Sequence, residues 1–363
     1  MTIRPVSEKS DATARFDNDS LCKSLTSIVG SPVRDVVCSP LQGDASDRKY
    51  YRVSFQAGVS GARSESIILM QLQDPLPGGE NDFTRILKFL RTLELPVPEM
   101  FHCHSEKGLL FLEDCGSFTL EDWIRDHPGD KERYYCQAVD LLAKLHHRAT
   151  QNISSDCPAF HLRFDAEKLM WELDFMMEHY VKGLLQSHLD DRETSEIRGH
   201  FLALCQTLAQ QEPVFTHRDF HSRNLMVRNG DLIILDFQDA RMGPCQYDLV
   251  SLLKDSYVRL DDGFRNEMVE HYIQLKEKAE NRSIDRQEFH RIFDWMSIQR
   301  NLKAVGTFAF QAVVKGNRRY LEYIPETLAY VLKTLETQSD LQAMKKTLVK
   351  HLPGLPLEST GES

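Results

Sequence analysis

No stretch of the 363-residue chain approaches the ~18 uncharged apolar residues that would cross a bilayer, so the sequence offers no membrane-spanning helix. Clustered basic residues are also missing. Lys and Arg number 44 against 54 Asp and Glu, giving a net charge of −10 and a pI near 5.8, which argues against nucleic acid as a partner. The eight cysteines are scattered with no C-x-x-C pair, which excludes a zinc-ribbon spacing and favours reduced thiols and a cytoplasmic location over a disulfide framework. The opening MTIRPVSEKSDATARFDND has no apolar run of the secretory kind and reads as a frayed lead-in, with the polar stretch after Pro356 as a flexible tail. Internal repeats and low-complexity blocks are absent as well.

What is present is a chain whose texture changes once. From Val33 to Asp114 short β-branched and aromatic runs predict strands over 33–40, 49–55, 66–73, 100–105 and 109–114. One helix interrupts them at 81–95, where Phe83, Ile86, Leu87, Leu90 and Leu93 share a face before Pro96 and Pro98. After Asp114-Cys115-Gly116-Ser117, a hinge candidate, helical periods dominate at 132–150, 164–185, 200–210, 247–258, 264–276, 286–314 and 320–337. The expected organisation is a lead-in (1–32), a β-rich lobe (33–117), a large helical lobe (118–350) and a tail (351–363). The fold class is α+β.

Phe215 to Leu249 carries the chemistry. His217, Arg218, Asp219 and Asn224 fit H-R-D-x-x-x-x-N, and Asp236 follows the apolar run Leu232 to Leu235, twelve residues after Asn224. Transfer of a γ-phosphoryl group needs a carboxylate to orient the acceptor hydroxyl and hard oxygen ligands for Mg²⁺ on the phosphates of ATP. Asp219 is therefore the candidate base, and Asn224 and Asp236 are the candidate metal ligands across a hairpin that turns at Asn229-Gly230. An isolated H-R-D could arise by chance, with Asp219 merely capping a helix, but the ordered set is far harder to obtain that way. His217 reads as a buried scaffold histidine. Tyr247 comes only eleven residues after Asp236, too few for a peptide-docking activation segment, so the acceptor is expected to be a small molecule.

The blocks GDASDRKYYRV (43–53), KLMWELDFMMEHYV (168–181), FTHRDFHSRNLM (215–226), LDFQDARMGPCQYDLVSLLKDSYV (235–258) and QRNLKAVGTFAF (299–310) resemble the aminoglycoside phosphotransferase and choline kinase superfamily. The likeness is greater to its bacterial branch of anomeric N-acetylmuramate and N-acetylglucosamine kinases. It implies a two-lobed protein-kinase-like fold and an ATP-dependent enzyme that phosphorylates the anomeric hydroxyl of a free amino sugar in cell-wall recycling. It further implies that Asp248 braces the catalytic loop, and that Glu172, His221, Arg223, Gln238, Asp239, Arg300 and Lys303 face the sugar. For Arg300 and Lys303 a solvated helix face is the competing reading.

On the nucleotide side, Gly43, Asp44, Ala45 and Ser46 would cover the phosphates and Leu112, Glu113 and Asp114 would meet the adenine. The third strand has no Lys, and none occurs from Ser64 to Leu87; either Arg48, Lys49 or Arg52 holds the phosphates, which the resemblance favours, or nucleotide binding is unusually weak. The partners expected are thus ATP and a small sugar, with no nucleic acid, membrane or obligate protein partner. An aminoglycoside, a choline-like alcohol or another sugar is the alternative acceptor, and a nucleotide-binding pseudokinase the non-enzymatic alternative. Among the remaining features, His102-Cys103-His104 reads as strand packing, His146-His147 as the end of a helix, and Trp123, Trp171 and Trp295 as core.

Overall fold

The computed structural model describes residues 18–41, 48–58 and 63–351. Its contacts divide the chain into two compact units, Met1–Asn81 with Pro98–Cys115, and Asp82–Val97 with Gly116–Ser363.

The first unit is a five-stranded antiparallel sheet and one helix. The strands β1 (Val33–Leu41), β2 (Lys49–Ala57), β3 (Arg63–Gln71), β4 (Met100–His104) and β5 (Leu109–Glu113) run in the order β1-β2-β3-β5-β4. Alternation puts Tyr51, Val53 and Phe55 of β2 on the buried face, where they join Ile67, Leu69, Leu109 and Phe111. Helix α1 (Asn18–Val29) closes this core with Leu21 and Leu25. This helix lies inside the stretch expected to be a lead-in; two buried leucines one turn apart suffice to seat it, and their signal is too short to register as a period. His102 and His104 pack edge to face on β4, and the imidazole of His104 bonds the Ser24 hydroxyl of α1 at 2.9 Å.

The second unit starts with the helix that the sequence placed among the strands. In α2 (Asp82–Thr92), Phe83, Ile86, Leu87 and Leu90 are buried, and Phe83 stacks on Phe237 at 5.2 Å. Its apolar face therefore groups it with the catalytic segment rather than with the sheet. After β6 (Phe118–Thr119) and α3 (Leu120–Asp126), which has a capping box at Thr119, come α4 (Lys131–Asn152), α5 (Ala166–Met176) and α6 (Asp191–Ala209). The sequence missed α3, whose seven residues span barely two turns. The period expected over 164–185 divides into α5 and a π-helical run, Met177–Leu184.

The catalytic segment folds as β7 (Pro213–Thr216), a loop, the hairpin β8 (Leu225–Arg228) and β9 (Asp231–Ile234), a second loop and β10 (Arg241–Pro244). At the hairpin turn Asn229 has φ 53° and Gly230 φ 91°, as a two-residue turn of left-handed residues requires. Helices α7 (Cys245–Leu253), α8 (Asp262–Glu280), α9 (Arg286–Val313), α10 (Ile324–Thr337) and α11 (Gln342–His351) complete the unit, α11 being unannounced by the sequence. Helix α9 is the central rod, 28 residues long, and packs on α5, α7 and α10. At Gly306 it meets α5 so closely that a Cβ would lie 2.6 Å from the Met176 Cα, and no residue with a side chain fits there.

Three further expectations are corrected. Trp171 is 54% exposed, because α5 turns Leu169, Met170, Glu172, Leu173 and Met176 inward instead; the Lys168 ammonium sits 3.8 Å over the indole. Trp123 and Trp295 are half-buried. His146 does not end its helix, since α4 runs on to Asn152 and buries this imidazole. None of the helices among the described residues is long and apolar enough to cross a membrane, and all eight cysteines are free.

Candidate active site

Strands β7 and β10 pair antiparallel, and the β8–β9 hairpin leans on β6, so the loops 217–224 and 235–240 leave this framework side by side. They are laced together by Leu235 N–H donating to the Asn224 carbonyl at 2.9 Å and by His217 Nε2–H donating to the Leu235 carbonyl at 2.8 Å. His217 is fully buried in this scaffold position. Two non-glycine residues of these loops adopt the left-handed region, Arg218 at φ 85° and Asp236 at φ 61°, each costing ~1–3 kcal/mol unless the surroundings impose it.

Asp248, in the first turn of α7, imposes the first. Its carboxylate accepts from the backbone N–H of His217 at 2.6 Å and of Arg218 at 2.8 Å. A third donor is His146, whose Nε2 lies 3.0 Å from Asp248 while its Nδ1 accepts from the Tyr272 hydroxyl at 2.6 Å. Burial lowers the pKa of this imidazole against the pull of Asp248, so it stays neutral and needs one donor and one acceptor. No local pattern announces this contact, which spans 102 residues. Further along the loop, Ser222 donates both its N–H and its hydroxyl to buried Asp255.

On this base the three candidate chemical groups converge. Asn224 Nδ2 donates to the Asp219 carbonyl at 2.9 Å and toward Asp236 Oδ2 at 3.4 Å, which leaves the amide oxygen of Asn224 as its acceptor end. Gln238 Nε2 donates to Asp236 Oδ1 at 2.7 Å. A carboxylate and an amide oxygen form a hard but sparse donor set. Among the described residues no group of three or more His, Cys, Asp or Glu could hold a metal. That set fits a cation such as Mg²⁺ that takes its remaining ligands from water and phosphate oxygens, and does not fit an all-protein cage. Asp219 meets the ammonium of Lys303, on α9, at 2.9 Å. Burial pushes the Asp219 carboxyl up, but Lys303 and Arg218 more than reverse this and hold it well below the usual carboxylate range.

The residues expected to face a sugar divide into two groups. His221, Gln238, Asp239 and Lys303 lie on the loops or the helix bordering Asp219, and His221 is a neutral imidazole, pushed down to about 3 by burial and then by Arg300. Glu172 is buried, accepting from Tyr247 and Gln299, with one oxygen left unbonded but within 4 Å of Lys168 and Arg218. Arg223 and Arg300 have protein partners. The Arg223 guanidinium grips both oxygens of Glu121 and stacks 3.7 Å from the Tyr257 ring, and Arg300 is buried with its Nε on the Ser251 hydroxyl, not on a solvated face. Sequence reasoning did not single out Lys168 or Arg241, which gather here with Arg218 and Lys303: the Lys168 pKa is lowered first by burial and then, against the pull of Glu172, by Arg218, Arg241 and Lys303.

In the first unit, Arg52 and Asp114 hold each other. Arg52 Nε and Nη2 donate to the two oxygens of Asp114 at 2.7 and 2.9 Å, and the Ser66 hydroxyl adds a third bond at 2.8 Å. Arg52 stands opposite Ile68 of β3, the strand that lacks a lysine; there Met70 is buried and Gln71 accepts from the Tyr51 hydroxyl. Leu112 is buried on β5, Glu113 exchanges hydrogen bonds with the backbone of Glu99, Arg48 is half-buried and Lys49 exposed. The turn Gly43, Asp44, Ala45, Ser46 lies outside the described residues.

An antiparallel sheet unit, a mostly helical unit and an H-R-D loop braced from an adjoining helix define a phosphotransferase with the protein-kinase-like fold. An ADP-bound aminoglycoside phosphotransferase has that fold too, with a TM-score of 0.53 over 90% of this chain and 99% of its own at 16% identity. The chain belongs to the phosphotransferase enzyme family, whose model matches residues 37–282. Similar curated proteins include an N-acetylmuramate/N-acetylglucosamine kinase of Neisseria meningitidis serogroup B, 28% identical over 90% of this chain and 94% of that one. Another, of the same name, from Pseudomonas putida is 29% identical over 85% of this chain and 86% of that one.

Proposed function

We propose that the protein is an ATP- and Mg²⁺-dependent kinase that phosphorylates the anomeric hydroxyl of N-acetylmuramate, N-acetylglucosamine or both, in the recycling of cell-wall sugars. The observation that carries this reading is the convergence of Asp219, Asn224 and Asp236 on one braced loop pair, in a chain similar along most of its length to kinases of that name. Asp219 is the base. An anomeric hydroxyl is more acidic than other sugar hydroxyls, so a carboxylate kept ionised at low pKa serves to orient it and take its proton. Asn224 and Asp236 would hold Mg²⁺, which when bound neutralises phosphate charge. Gln238 steadies the Asp236 carboxylate, and Asp248 fixes the loop that presents Asp219.

The acceptor follows from charge. Lys168, Arg218, Arg241 and Lys303 cluster about Glu172 and Asp219, an environment that suits a neutral or carboxylate-bearing sugar and repels the polycation that an aminoglycoside is. The β-rich unit would take the nucleotide, with phosphates held by Arg48, Lys49 or the turn at 43–46. The test is coupled ADP release with Mg-ATP against N-acetylmuramate, N-acetylglucosamine, glucose, kanamycin, choline and no acceptor. Turnover confined to the amino sugars, with phosphate on the anomeric oxygen, is expected. Turnover with kanamycin or choline would replace the acceptor, and none with any would favour the pseudokinase.

A further inference from the structure

Asp219 and Lys303 stand 84 residues apart in the chain, yet Lys303 Nζ lies 2.9 Å from Asp219 Oδ1. Among the described residues no other side chain bonds this carboxylate; the remaining hydrogen bonds of Asp219 involve its backbone carbonyl, which accepts from Asn224 and from the His221 N–H. Three arginines of the same unit are held by other groups. Arg218 is drawn to Asp239 at 3.1 Å and to Glu172, Arg300 is buried on Ser251, and Arg223 is paired with Glu121. The catalytic loop thus supplies the carboxylate but nothing to aim it.

Helix α9 is built to hold that ammonium still. One turn before Lys303, Gln299 donates to Glu172 and to the Leu169 carbonyl, and Arg300 donates to Ser251. Three residues after it, Gly306 lies against the Met176 backbone. Spacings of three and four place these anchors within one turn of Lys303, so both the rotation and the height of α9 are fixed where the ammonium leaves it. A lysine on a solvated helix face has no such surroundings.

We infer that Lys303 is the positioning residue for Asp219: it binds Oδ1 and so turns Oδ2 toward the acceptor hydroxyl. This rests on the kinase reading above. In the step concerned the acceptor O–H proton passes to Oδ2, the acceptor oxygen forms its bond to the γ-phosphorus, and the bond from that phosphorus to the β,γ-bridging oxygen breaks, ADP leaving with the electron pair. Lys303 keeps its proton throughout.

The test is steady-state kinetics of Lys303→Met and Lys303→Arg, alone and combined with Asp219→Asn, each checked for native thermal unfolding. Lys303→Met should lower kcat ~100-fold, within the range of misplaced acid–base groups, with both KM values changed less than about threefold. Lys303→Arg should recover at least a tenth of wild-type kcat, and Lys303→Met should lower kcat less than about twofold further on top of Asp219→Asn, because residues acting as a unit are not additive. A kcat within threefold of wild type, a loss confined to acceptor KM, or losses that multiply in the double variant would overturn the assignment. Should the wild type turn over no acceptor, the kinase reading fails by itself and the ion pair is judged by unfolding. Melting shifts of the single and double variants that depart from additivity by about 2 °C or more support it, and strict additivity overturns it.

Discussion

The two units handle charge in opposite ways. In the helical unit, side chains brace the loop of Asp219 from several sides, through Asp248 under the loop, His146 under Asp248, Asp255 under Ser222 and Lys303 across from α9. In the sheet unit, two residues expected to serve the nucleotide, Arg52 and Asp114, hold each other. The difference shows where side-chain identity carries the chemistry. A proton acceptor must be a particular side chain at a particular place, whereas a nucleotide can be held largely by main chain, which many sequences supply.

Asp219→Ala breaks the comparison at its strongest point. Its kcat should fall ~10³-fold or more in the coupled assay, with thermal stability little changed because the carboxylate does no structural work beyond its pair with Lys303. Next come Asn224→Ala and Asp236→Asn, which should raise the Mg²⁺ concentration for half-maximal rate by at least the ~10–100-fold that even outer-shell losses cost, as read from magnesium titrations at saturating ATP. Asp248→Ala tests the brace. It strands two buried N–H groups and His146, and denaturant melts should show about 3 kcal/mol or more of lost stability.

A smaller effect belongs to His146. Its folded pKa lies below the ordinary 6.5, so below about pH 6.5 the unfolded chain binds the proton first and stability falls as pH falls. His146→Gln should flatten that part of the stability-against-pH curve, and an unchanged slope would show that the imidazole is not held neutral. The smallest effect sharpens the sheet side of the comparison. Arg48→Ala or Lys49→Ala should raise the KM for ATP about tenfold, as loss of one charge-assisted phosphate contact would. Unchanged values in both variants would leave main chain as the holder of the phosphates.

Legibility in the sequence follows the range of the interactions involved. Strand alternation, the Asn229-Gly230 turn and the spacing of Asp219, Asn224 and Asp236 are local, and the sequence states them within a few residues of error. Helix α1 escaped because two leucines do not make a period, and α3 because seven residues do not. The Lys303 contact with Asp219 and the His146 contact with Asp248 join distant segments, and no local pattern announces them. Trp171 misled for a related reason. Residue type suggested a buried indole, whereas Leu169, Leu173 and Met176 take the inward face of α5.

The glycine at position 306 has a consequence for how this enzyme could diverge. Because α9 touches α5 backbone to backbone there, the helix cannot rotate or slide without opening that contact, and its outward residues move only as one body. A lineage changing its acceptor through α9 would move Lys303, and with it the partner of the Asp219 carboxylate, at the same time.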